Sequence, residues 1–367
     1  MMRAPRALAS RRWGMETVYY HLSDYISHRR AGLGNLRALA LAGVPLAETA
    51  EEASTVILHD DPLNYPRLFA ALPCLRDKRN IAYSVWETEA LPEQYLEPLG
   101  LVDAIWTCSA FSQAAYAAHF PDVAVVPHVV EPLSVHETDL DTIRQRIGYR
   151  SDAFYFYTVT DSINPRKNLF GLLEVFLKNF LHDPDVYLVV KQYRRAYDLG
   201  GLRNVISLTD NLTVGEMGAL HTLCHCCVSL HHAEAWGLSL SEALSLGNPV
   251  IATGYSGNMH SSLARAAWPT GCVRPAAGDL GNCRTRLAPY VRPGNPDRPE
   301  RSQRTARSCP RVPRWNAAHG VVFCLPKGLC MSAAHLGFPT ETVVVFVVMA
   351  VGAMFIDLFM LCLYHNW

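Results

Sequence analysis

The segment HHAEAWGLSLSEALSLGNPVIATGYSGN, residues 231–258, decides the fold of the second half of this chain. From Leu238 to Leu246 its apolar residues recur with the spacing of a short amphipathic helix, and Gly247 is typical of a helix end. Residues 248–253 follow as an apolar run, which predicts a buried strand. A loop, a helix and a strand in this order form one unit of an α/β sheet.

Two carboxylates flank the start of the predicted helix. Glu234 lies in the loop ahead of it, and Glu242 lies inside it. The unpaired backbone N–H groups at a helix start, with the positive end of the helix dipole, can hold a diphosphate without a metal ion. We therefore expect the carboxylates to reach hydroxyls on opposite sides of that diphosphate, one on a sugar and the other on a ribose. The predicted diphosphate-binding residues are Gly237, Leu238 and Ser239.

This segment resembles the E-x7-E signature of the retaining family 4 glycosyltransferases, which have the GT-B fold. The resemblance covers both glutamates, the Trp-Gly-Leu after the first, the Glu-Ala pair, the Gly-x-Pro-Val turn and the Gly-Tyr-Ser-Gly-Asn that follows. Ala235 departs from the pattern, because the family usually has glycine there. A Cβ at this position crowds the donor sugar if the backbone needs a positive φ. An ordinary helix-turn-strand unit without a ligand is the alternative interpretation.

A second motif, DSINPRKNLFGLLEVF at residues 161–176, follows an apolar strand predicted at residues 154–159. The resemblance assigns Arg166 and Lys167 to the donor diphosphate, and Lys191 is a third basic candidate. Cations beside a leaving diphosphate stabilise the charge that develops as the glycosidic bond breaks, which is the task of metal ions in other nucleotide-sugar enzymes. The resemblance thus implies a donor site with no metal and no cofactor. Taken alone, such a basic pair is usually a solvated surface.

Between the two motifs the chain alternates strands with helices. Residues 227–230 are predicted as a strand, and residues 213–223 as a helix whose capping box is formed by Thr213 and Glu216. Continuous apolar strands in repeated βα units predict a parallel sheet with helices on both faces. Cysteines and histidines crowd residues 224–232, but they lack the two separated ligand pairs of a zinc site, so we interpret them as structural.

The amino-terminal half carries a second set of βα units, so the chain predicts an α/β fold of two Rossmann-like, doubly wound domains. The Gly-x-Gly-Asn at residues 32–35 is predicted to open a helix at residues 36–42. Gly34 is then either a donor-contacting loop residue or part of a helix start without a ligand. The strands of this half are predicted at residues 18–22, 55–59, 82–86, 103–107 and 123–126.

A doubly wound sheet binds ligands at the carboxyl ends of its strands, where several polar side chains of this half fall. His59, Glu87 and Ser109 are the candidate acceptor-side groups, whereas Trp86 is interpreted as a packing residue. The segments WETEALP and WTCSAFSQ resemble the acceptor domain of the same glycosyltransferases. For His59 and Glu87, local hydrogen bonding to the backbone is the alternative role.

The composition limits the classes of partner. Lysine and arginine total 33, as do aspartate and glutamate, so the formal net charge is zero. Neither matched domain has a long basic run, which argues against a nucleic-acid partner. The cysteines are scattered through apolar contexts, as in proteins of a reducing compartment, so we expect a cytoplasmic location. Residues 1–14 lack the apolar core of a secretory signal, and Met15 is the expected native start.

The resemblance ends after His260. Arg274–Arg314 contains ten arginines and no lysine, with many prolines and glycines, which predicts disorder. Val343–Tyr364 is apolar apart from Asp357 and long enough to cross a bilayer, as an anchor at the inner face of the membrane. A shifted reading frame in GC-rich DNA is the alternative explanation for both segments.

These segments predict a plan of two domains with additions at both ends. A non-native start at residues 1–14 precedes the domains. An acceptor-side Rossmann-like domain (15–135), a linker with a short helix (136–150), a nucleotide-sugar-binding domain (151–262), a low-complexity tail (263–338) and a transmembrane segment (339–367) follow.

The resemblance implies a retaining hexosyltransferase that moves a sugar from a nucleotide diphosphate-sugar to a hydroxyl of a glycan or lipid-linked acceptor, in polysaccharide or lipopolysaccharide biosynthesis. A sugar-phosphate enzyme of the same fold is disfavoured, because no lysine context for a pyridoxal cofactor is evident. An inactive, membrane-tethered sugar-nucleotide-binding protein is the alternative from another class. Ala235 and the lack of the helices that usually complete the donor domain favour it. The donor base, the sugar, the acceptor and the linkage stay open.

Overall fold

A computed structural model describes residues 17–131 and 133–260, with the backbone of two short strands at residues 292–293 and 320–324. The predicted non-native start and the predicted transmembrane segment lie outside these described residues, as does most of the predicted low-complexity tail. Within the described residues, no helix is both long and apolar enough to cross a bilayer. The chain divides into two compact units, the first running to Glu131 with the addition of Glu234–Trp236.

The first unit is built on a parallel sheet in the order β1-β2-β3-β4-β5. Outside these strands, Leu46 forms a parallel bridge with Val18, on the edge of β1 opposite β2. From β1 the chain therefore passes to one side of that strand at Leu46, and then to its other side at β2 and the strands that follow. This change of direction is the reversal of a doubly wound sheet. The elements are β1 (Val18–Leu22), α1 (Ile26–Leu41), β2 (Thr55–His59), α2 (Tyr65–Ala71), β3 (Arg79–Tyr83), α3 (Leu96–Leu99), β4 (Ala104–Thr107), α4 (Ala110–Ala117) and β5 (Val123–Val125).

Both faces of this sheet are covered by apolar groups. Val56 and Leu58 of β2 pack on one face in a cluster with Phe69 of α2, while Ile57 points into a cluster on the other face with Leu36 of α1. Consecutive apolar residues such as these three are what burial on both faces of a sheet requires.

Two sequence predictions for this unit are wrong in detail. The strand predicted at residues 82–86 is Arg79–Tyr83, because the polar Asn80 is buried with its amide donating to the carbonyl of Leu75 at 2.6 Å. The helix predicted at residues 36–42 begins at Ile26, where no side chain caps it, so its start has no signature in the sequence.

The predicted turn at residues 32–35 therefore lies inside α1. A Cβ at Gly34 would lie 2.9 Å from the carbonyl oxygen of Val129, and one at Gly32 would lie 2.5 Å from Cδ2 of Leu22. Close packing accounts for both glycines, and Gly34 is not part of a loop.

The second unit is built on a six-stranded sheet in the order β13-β11-β10-β6-β7-β9, in which only β13 is antiparallel to its neighbour. The strand order reverses between β6 and β10, which is where a doubly wound sheet forms its crevice. The elements are α5 (Glu137–Ile147), β6 (Phe154–Thr160), α6 (Leu169–Phe180), β7 (Val186–Gln192), β8 (Tyr197–Asp198), β9 (Val205–Leu208), α7 (Val214–Leu223), β10 (Cys226–Ser229), α8 (Leu238–Ser245), β11 (Val250–Gly254), β12 (Arg292–Pro293) and β13 (Gly320–Cys324).

The central strand β6 separates two aromatic cores. Phe156 packs with Phe176 of α6 on one face, and Tyr155 and Tyr157 pack among residues of α5 and α7 on the other. The segment predicted as a linker forms α5, whose Ile143 is buried in that second core. The predicted capping box of α7 is present: the hydroxyl of Thr213 accepts from the Glu216 N–H at 3.1 Å, and the Glu216 carboxylate accepts from the Thr213 N–H at 2.7 Å.

Candidate functional site

The loop after β6 carries the predicted basic pair at the carboxyl edge of the second sheet, meaning the edge where its parallel strands end. Asn164 caps a single 3-10 turn, Pro165–Lys167, by accepting from the Arg166 N–H at 3.1 Å. Asn168 follows in a left-handed conformation, with φ of 51°, and α6 begins at the next residue. Arg166 and Lys167 are half-buried in this loop rather than on a fully solvated surface.

Three hydrogen bonds tie this loop to the loop after β10. The guanidinium of Arg166 donates to the carbonyl of Ala233, and the Arg166 carbonyl accepts from the His232 N–H at 2.8 Å. The side-chain amide of Asn168 donates to the carbonyl of Leu230 at 2.8 Å. The structure therefore joins the basic motif to the start of the glutamate motif across the reversal of the sheet.

Buried polar atoms that were not predicted as site residues surround the start of the basic loop. Among the described residues, Thr160 Oγ1, Asp161 Oδ1 and Ser162 Oγ are buried and have no hydrogen-bond partner. Burial raises the pKa of Asp161, whereas Arg194, Lys167 and Arg166 oppose that rise. Because buried polar atoms are normally paired, these three are open to a polar ligand. A run of polar residues directly after a buried strand is the signal that could have identified them.

The helix start predicted to bind a diphosphate is the start of α8. Gly237 precedes the helix with φ of 77°, and its carbonyl accepts from the Leu240 and Ser241 N–H groups at 3.1 and 3.0 Å. A side chain at Gly237 would be strained, and its Cβ would lie 3.2 Å from Cβ of Asn258. Leu238 and Ser239 are half-buried in the first turn. Ala235 is not among the residues with positive φ, so this backbone does not require glycine there.

The Gly-Tyr-Ser-Gly-Asn loop after β11 contains a strained residue. Ser256 has φ of 76° and ψ of −153°, a conformation that costs an L-residue about 1–3 kcal/mol. Asn258 is fully buried and donates to the carbonyl of Thr253 at 2.8 Å, and its Oδ1 accepts from the Ser256 hydroxyl at 3.3 Å. These contacts hold the loop in its strained conformation near Gly237.

The structure places the two predicted glutamates in different surroundings. Glu234 is half-buried in the loop between β10 and α8. Glu242 has 5% of its surface exposed, and its Oε2 lies 3.6 Å from Nε2 of His221. His221 is fully buried and was not predicted as a site residue.

Lys191 is also buried, with none of its surface exposed. Its ammonium donates to the carbonyl of Gln192 at 2.6 Å and lies 4.0 Å from the ring centre of Tyr193. Burial lowers the pKa of Lys191 to about 8. The protein satisfies this cation internally.

In the first unit, the predicted His59 stands at the carboxyl end of β2 with 1% of its surface exposed. Its Nδ1 is 2.8 Å from the hydroxyl of Tyr20, while its Nε2 has no hydrogen-bond partner among the described residues. Burial, followed by the nearby His28 and His128, lowers the pKa of His59 to about 2. Burial likewise lowers the pKa of His128 to about 3, so both rings are neutral.

The other two acceptor-side candidates differ from each other. Ser109 is buried and caps α4, because its hydroxyl accepts from the Ser112 N–H at 3.2 Å. Glu87 is half-buried and follows β3. Trp86 is also half-buried, and its indole N–H donates to the carbonyl of Ala90 at 2.6 Å.

The cysteines near β10 are buried thiols. Burial raises the pKa of Cys224 and Cys226 above the usual range and that of Cys227 to about 12. Among residues 17–131 and 133–260, no cluster of three or more histidines, cysteines, aspartates or glutamates has the geometry to hold a metal ion.

Comparisons with known proteins concern the sequence of residues 141–263 and the fold. Residues 141–263 match the sequence model of a family described as Glycosyl transferases group 1, and this range includes both basic residues and both glutamates. The structure is similar to that of WaaG, a glycosyltransferase involved in lipopolysaccharide biosynthesis, with a TM-score of 0.51 and 13% identity over 74% of this chain and 90% of that one. The predicted fold class, two Rossmann-like domains of the GT-B type, is confirmed.

Two further similarities cover smaller parts. The structure of TarM matches with a TM-score of 0.41 and 14% identity. The match covers 54% of this chain and 40% of the TarM chain. A stretch of 30 residues is 67% identical to the tellurium resistance protein TerC of Serratia marcescens, which amounts to 8% of this chain and 9% of that protein.

Proposed function

From the match of residues 141–263 to the model of the glycosyl transferases group 1 family, we propose that the protein moves a sugar, with retention, from a nucleotide diphosphate-sugar to a hydroxyl of a glycan or lipid-linked acceptor. The observation that carries the proposal is the joining of the loops after β6 and β10 by three hydrogen bonds. Those loops follow the two strands between which the strand order reverses, and doubly wound sheets bind their ligands at that point.

The donor diphosphate would lie between the basic loop and the start of α8. Arg166 and Lys167 supply positive charge, and the first-turn N–H groups that follow Gly237 supply hydrogen-bond donors and the positive end of a helix dipole. One N–H of Arg166 is already engaged by Ala233, so this side chain both orders the loops and contributes charge. Lys167 is then the principal cation for the leaving group.

In the proposed reaction, the bond between the anomeric carbon and the diphosphate oxygen breaks, and the diphosphate leaves with the electron pair. The acceptor oxygen forms the new bond to that carbon and loses its proton. Glu234 would hold the donor sugar and Glu242 the ribose, as the family resemblance implies. Stabilising the developing negative charge is the largest contribution that such a site makes to the rate.

We further propose that transfer needs neither a metal ion nor a cofactor, because the cations and the helix start supply the positive field themselves. The acceptor would be bound by the uncharged polar groups of the first unit, among them His59. A role in polysaccharide or lipopolysaccharide biosynthesis, a cytoplasmic location and an association with the membrane belong to this proposal as well.

A two-step experiment tests the function. The full chain is first screened by thermal shift against UDP-, GDP- and ADP-sugars, and the stabilising donors are then assayed for sugar transfer to glycan and lipid-linked acceptors. A transferase stabilised by a donor at 100 times its dissociation constant gains about 2.7 kcal/mol. Binding without transfer would support the inactive binding protein, and stabilisation by none of the donors would contradict both functions. The control is Lys178→Ala, which removes an exposed lysine of α6 outside the site.

A further inference from the structure

A chain of four polar side chains, three of them buried and one half-buried, runs through the second unit and ends at Glu242. The amide of Asn248 contacts the hydroxyl of Tyr157 at 3.1 Å, and that hydroxyl contacts Nδ1 of His221 at 2.7 Å. Nε2 of His221 then lies 3.6 Å from Oε2 of Glu242. These side chains come from β6, α7, α8 and the turn after α8, so they connect the central strand to the helix that carries the predicted ribose ligand.

The hydrogen bonds in this chain have one direction. The Asn248 amide nitrogen faces the backbone carbonyl of His221, which can only accept, so the amide must donate there. The other N–H of the same nitrogen donates to the oxygen of Tyr157. Burial raises the pKa of Tyr157 far above its usual value, so the phenol keeps its proton. Because the phenol oxygen already accepts from Asn248, we assign that proton to the 2.7 Å contact with Nδ1 of His221.

This direction sets the tautomer of His221. Since Nδ1 accepts from Tyr157, the ring proton is on Nε2, and it faces the carboxylate of Glu242. His221 has none of its surface exposed, and Nε2 has no other hydrogen-bond partner among the described residues. A polar chain of this kind inside an apolar core holds its last member in one orientation.

We propose that His221 is a positioning residue that orients the carboxylate of Glu242 toward the ribose of the donor nucleotide. This inference rests on the proposed function, because it assigns a partner to the residue that would hold the ribose. With its Nε2–H facing Oε2 at 3.6 Å, His221 restricts the rotation of the Glu242 carboxylate and so sets the direction in which that carboxylate meets the ribose hydroxyls.

The test measures recognition of the ribose. UDP, GDP and ADP are titrated into the full-length protein by calorimetry, and the tightest of them is compared with its 2′-deoxy and 3′-deoxy forms. We expect the wild type to bind the ribonucleotide about tenfold or more tighter than at least one deoxy form. Tyr157→Phe and His221→Phe should each weaken the ribonucleotide about tenfold and leave the deoxy forms nearly unchanged. Discrimination is thereby lost in both variants.

The matched control is Tyr155→Phe, on the same strand. Tyr155 is fully buried, and its hydroxyl accepts from the Arg150 N–H at 2.8 Å, outside the chain that reaches Glu242. This control should keep the discrimination of the wild type. Circular dichroism and the thermal midpoint establish that each variant is folded, and Tyr157→Phe keeps the test valid if His221→Phe does not fold.

The outcomes separate the inference from the proposed function. If Glu242→Ala abolishes discrimination while Tyr157→Phe and His221→Phe retain it, the positioning role is overturned and the donor site stands. If the wild type binds none of the three nucleotides, or binds ribo and deoxy forms equally, the assignment of Glu242 to a ribose fails and the inference fails with it.

Discussion

The carboxyl edges of the two sheets carry side chains of different charge. At the carboxyl edge of the first sheet, His59 is buried beside Tyr20 and uncharged. At the carboxyl edge of the second, Arg166 and Lys167 stand in a loop that is joined to the loop after β10. The topology thus indicates where a ligand would bind. The side chains favour a neutral ligand at the first edge and an anionic ligand at the second.

Burial accounts for the neutrality of the first edge. A buried imidazole keeps only its neutral form, and a neutral ring can both donate and accept, as a sugar hydroxyl requires. Asp60, next to His59, keeps its charge because hydrogen bonds from His21, Ser23 and Asn64 outweigh its burial and hold its pKa at about 2. The charge of Asp60 is therefore satisfied within the unit.

The largest expected effect tests the neutral edge. His59 and His128 have pKa values of about 2 and about 3 in the folded protein, but each takes up a proton near pH 6.5 once unfolded. Their contribution to stability is complete above pH 6.5 and is lost as the pH falls. Between pH 8 and pH 5 we expect each to lower the free energy of unfolding by about 2 kcal/mol, or about 4 kcal/mol together.

Urea unfolding of the wild type and of a His59→Gln, His128→Gln double variant at both pH values measures this loss. Burial also lowers the pKa of His225 and His232, so the wild type and the variant share a background pH dependence. The difference between the two proteins isolates the pair. Equal losses of stability in both would show that the two rings are not held neutral by folding.

The second prediction tests the charged edge. Lys167→Ala should lower kcat about 10²-fold or more, because the ammonium stabilises the departing diphosphate more in the transition state than in the ground state. Lys167→Arg keeps the charge but misplaces it, so its kcat should lie between that of the wild type and that of Lys167→Ala. Steady-state kinetics with the best donor measures both variants. The control is Lys178→Ala. If folded Lys167→Ala has the same near-normal kcat as this control, the basic loop is a solvated surface and does not bind the diphosphate.

The sequence was informative where the structure is local. The span of α8 and the capping box of Thr213 and Glu216 depend on patterns within a few residues, and the structure has them as predicted. The parallel strands were predictable from local patterns as well. A strand that is buried on both faces shows no alternation of polar and apolar residues, and continuous apolar runs of this kind occur in both units.

The rest depended on contacts between distant segments. The start of α1 has no capping side chain, and Gly34 is glycine because the carbonyl of Val129 lies against it. His221 contacts Glu242, 21 residues away, only after α7 and α8 have packed on β10. Neither contact has a signature in the local sequence, so sequence motifs indicate candidate ligands but not the residues that position them.

The third prediction concerns Glu242. Glu242→Ala should weaken binding of the best nucleotide by about 1–3 kcal/mol, the range for losing a charge-assisted hydrogen bond to a hydroxyl. Calorimetry measures the dissociation constant, and the Lys178→Ala protein gives the unperturbed value. An unchanged constant in the folded variant would remove Glu242 from the site.

A smaller effect is expected at Lys191, the cation that the second unit buries. With a pKa of about 8, Lys191 is charged at pH 7 at a cost of about 3 kcal/mol relative to the unfolded chain. Lys191→Met removes this cost but also forfeits a hydrogen bond and a cation–aromatic contact, worth about 1 kcal/mol each. The net gain in the free energy of unfolding at pH 7 is then about 1 kcal/mol.

The pH dependence of that gain is diagnostic. The unfolded lysine loses its proton near pH 10.4, so the cost of burying the charge declines as the pH rises from 8 to above 10. Urea unfolding of wild type and Lys191→Met at pH 7 and pH 10 should show the advantage of the variant disappearing. A constant difference would mean that the ammonium is not desolvated.

The last prediction is the absence of an effect. Treatment with EDTA should leave kcat for sugar transfer unchanged, because Lys167, Arg166 and the start of α8 at Gly237 supply the positive field that a divalent cation would otherwise provide. The assay compares the chelated protein with the same sample after excess Mg²⁺ or Mn²⁺ is restored. Activity that is lost in EDTA and recovered with either ion would mean that the protein's own cations are insufficient. The charged edge of the second sheet would then be a platform for a metal ion rather than a substitute for one.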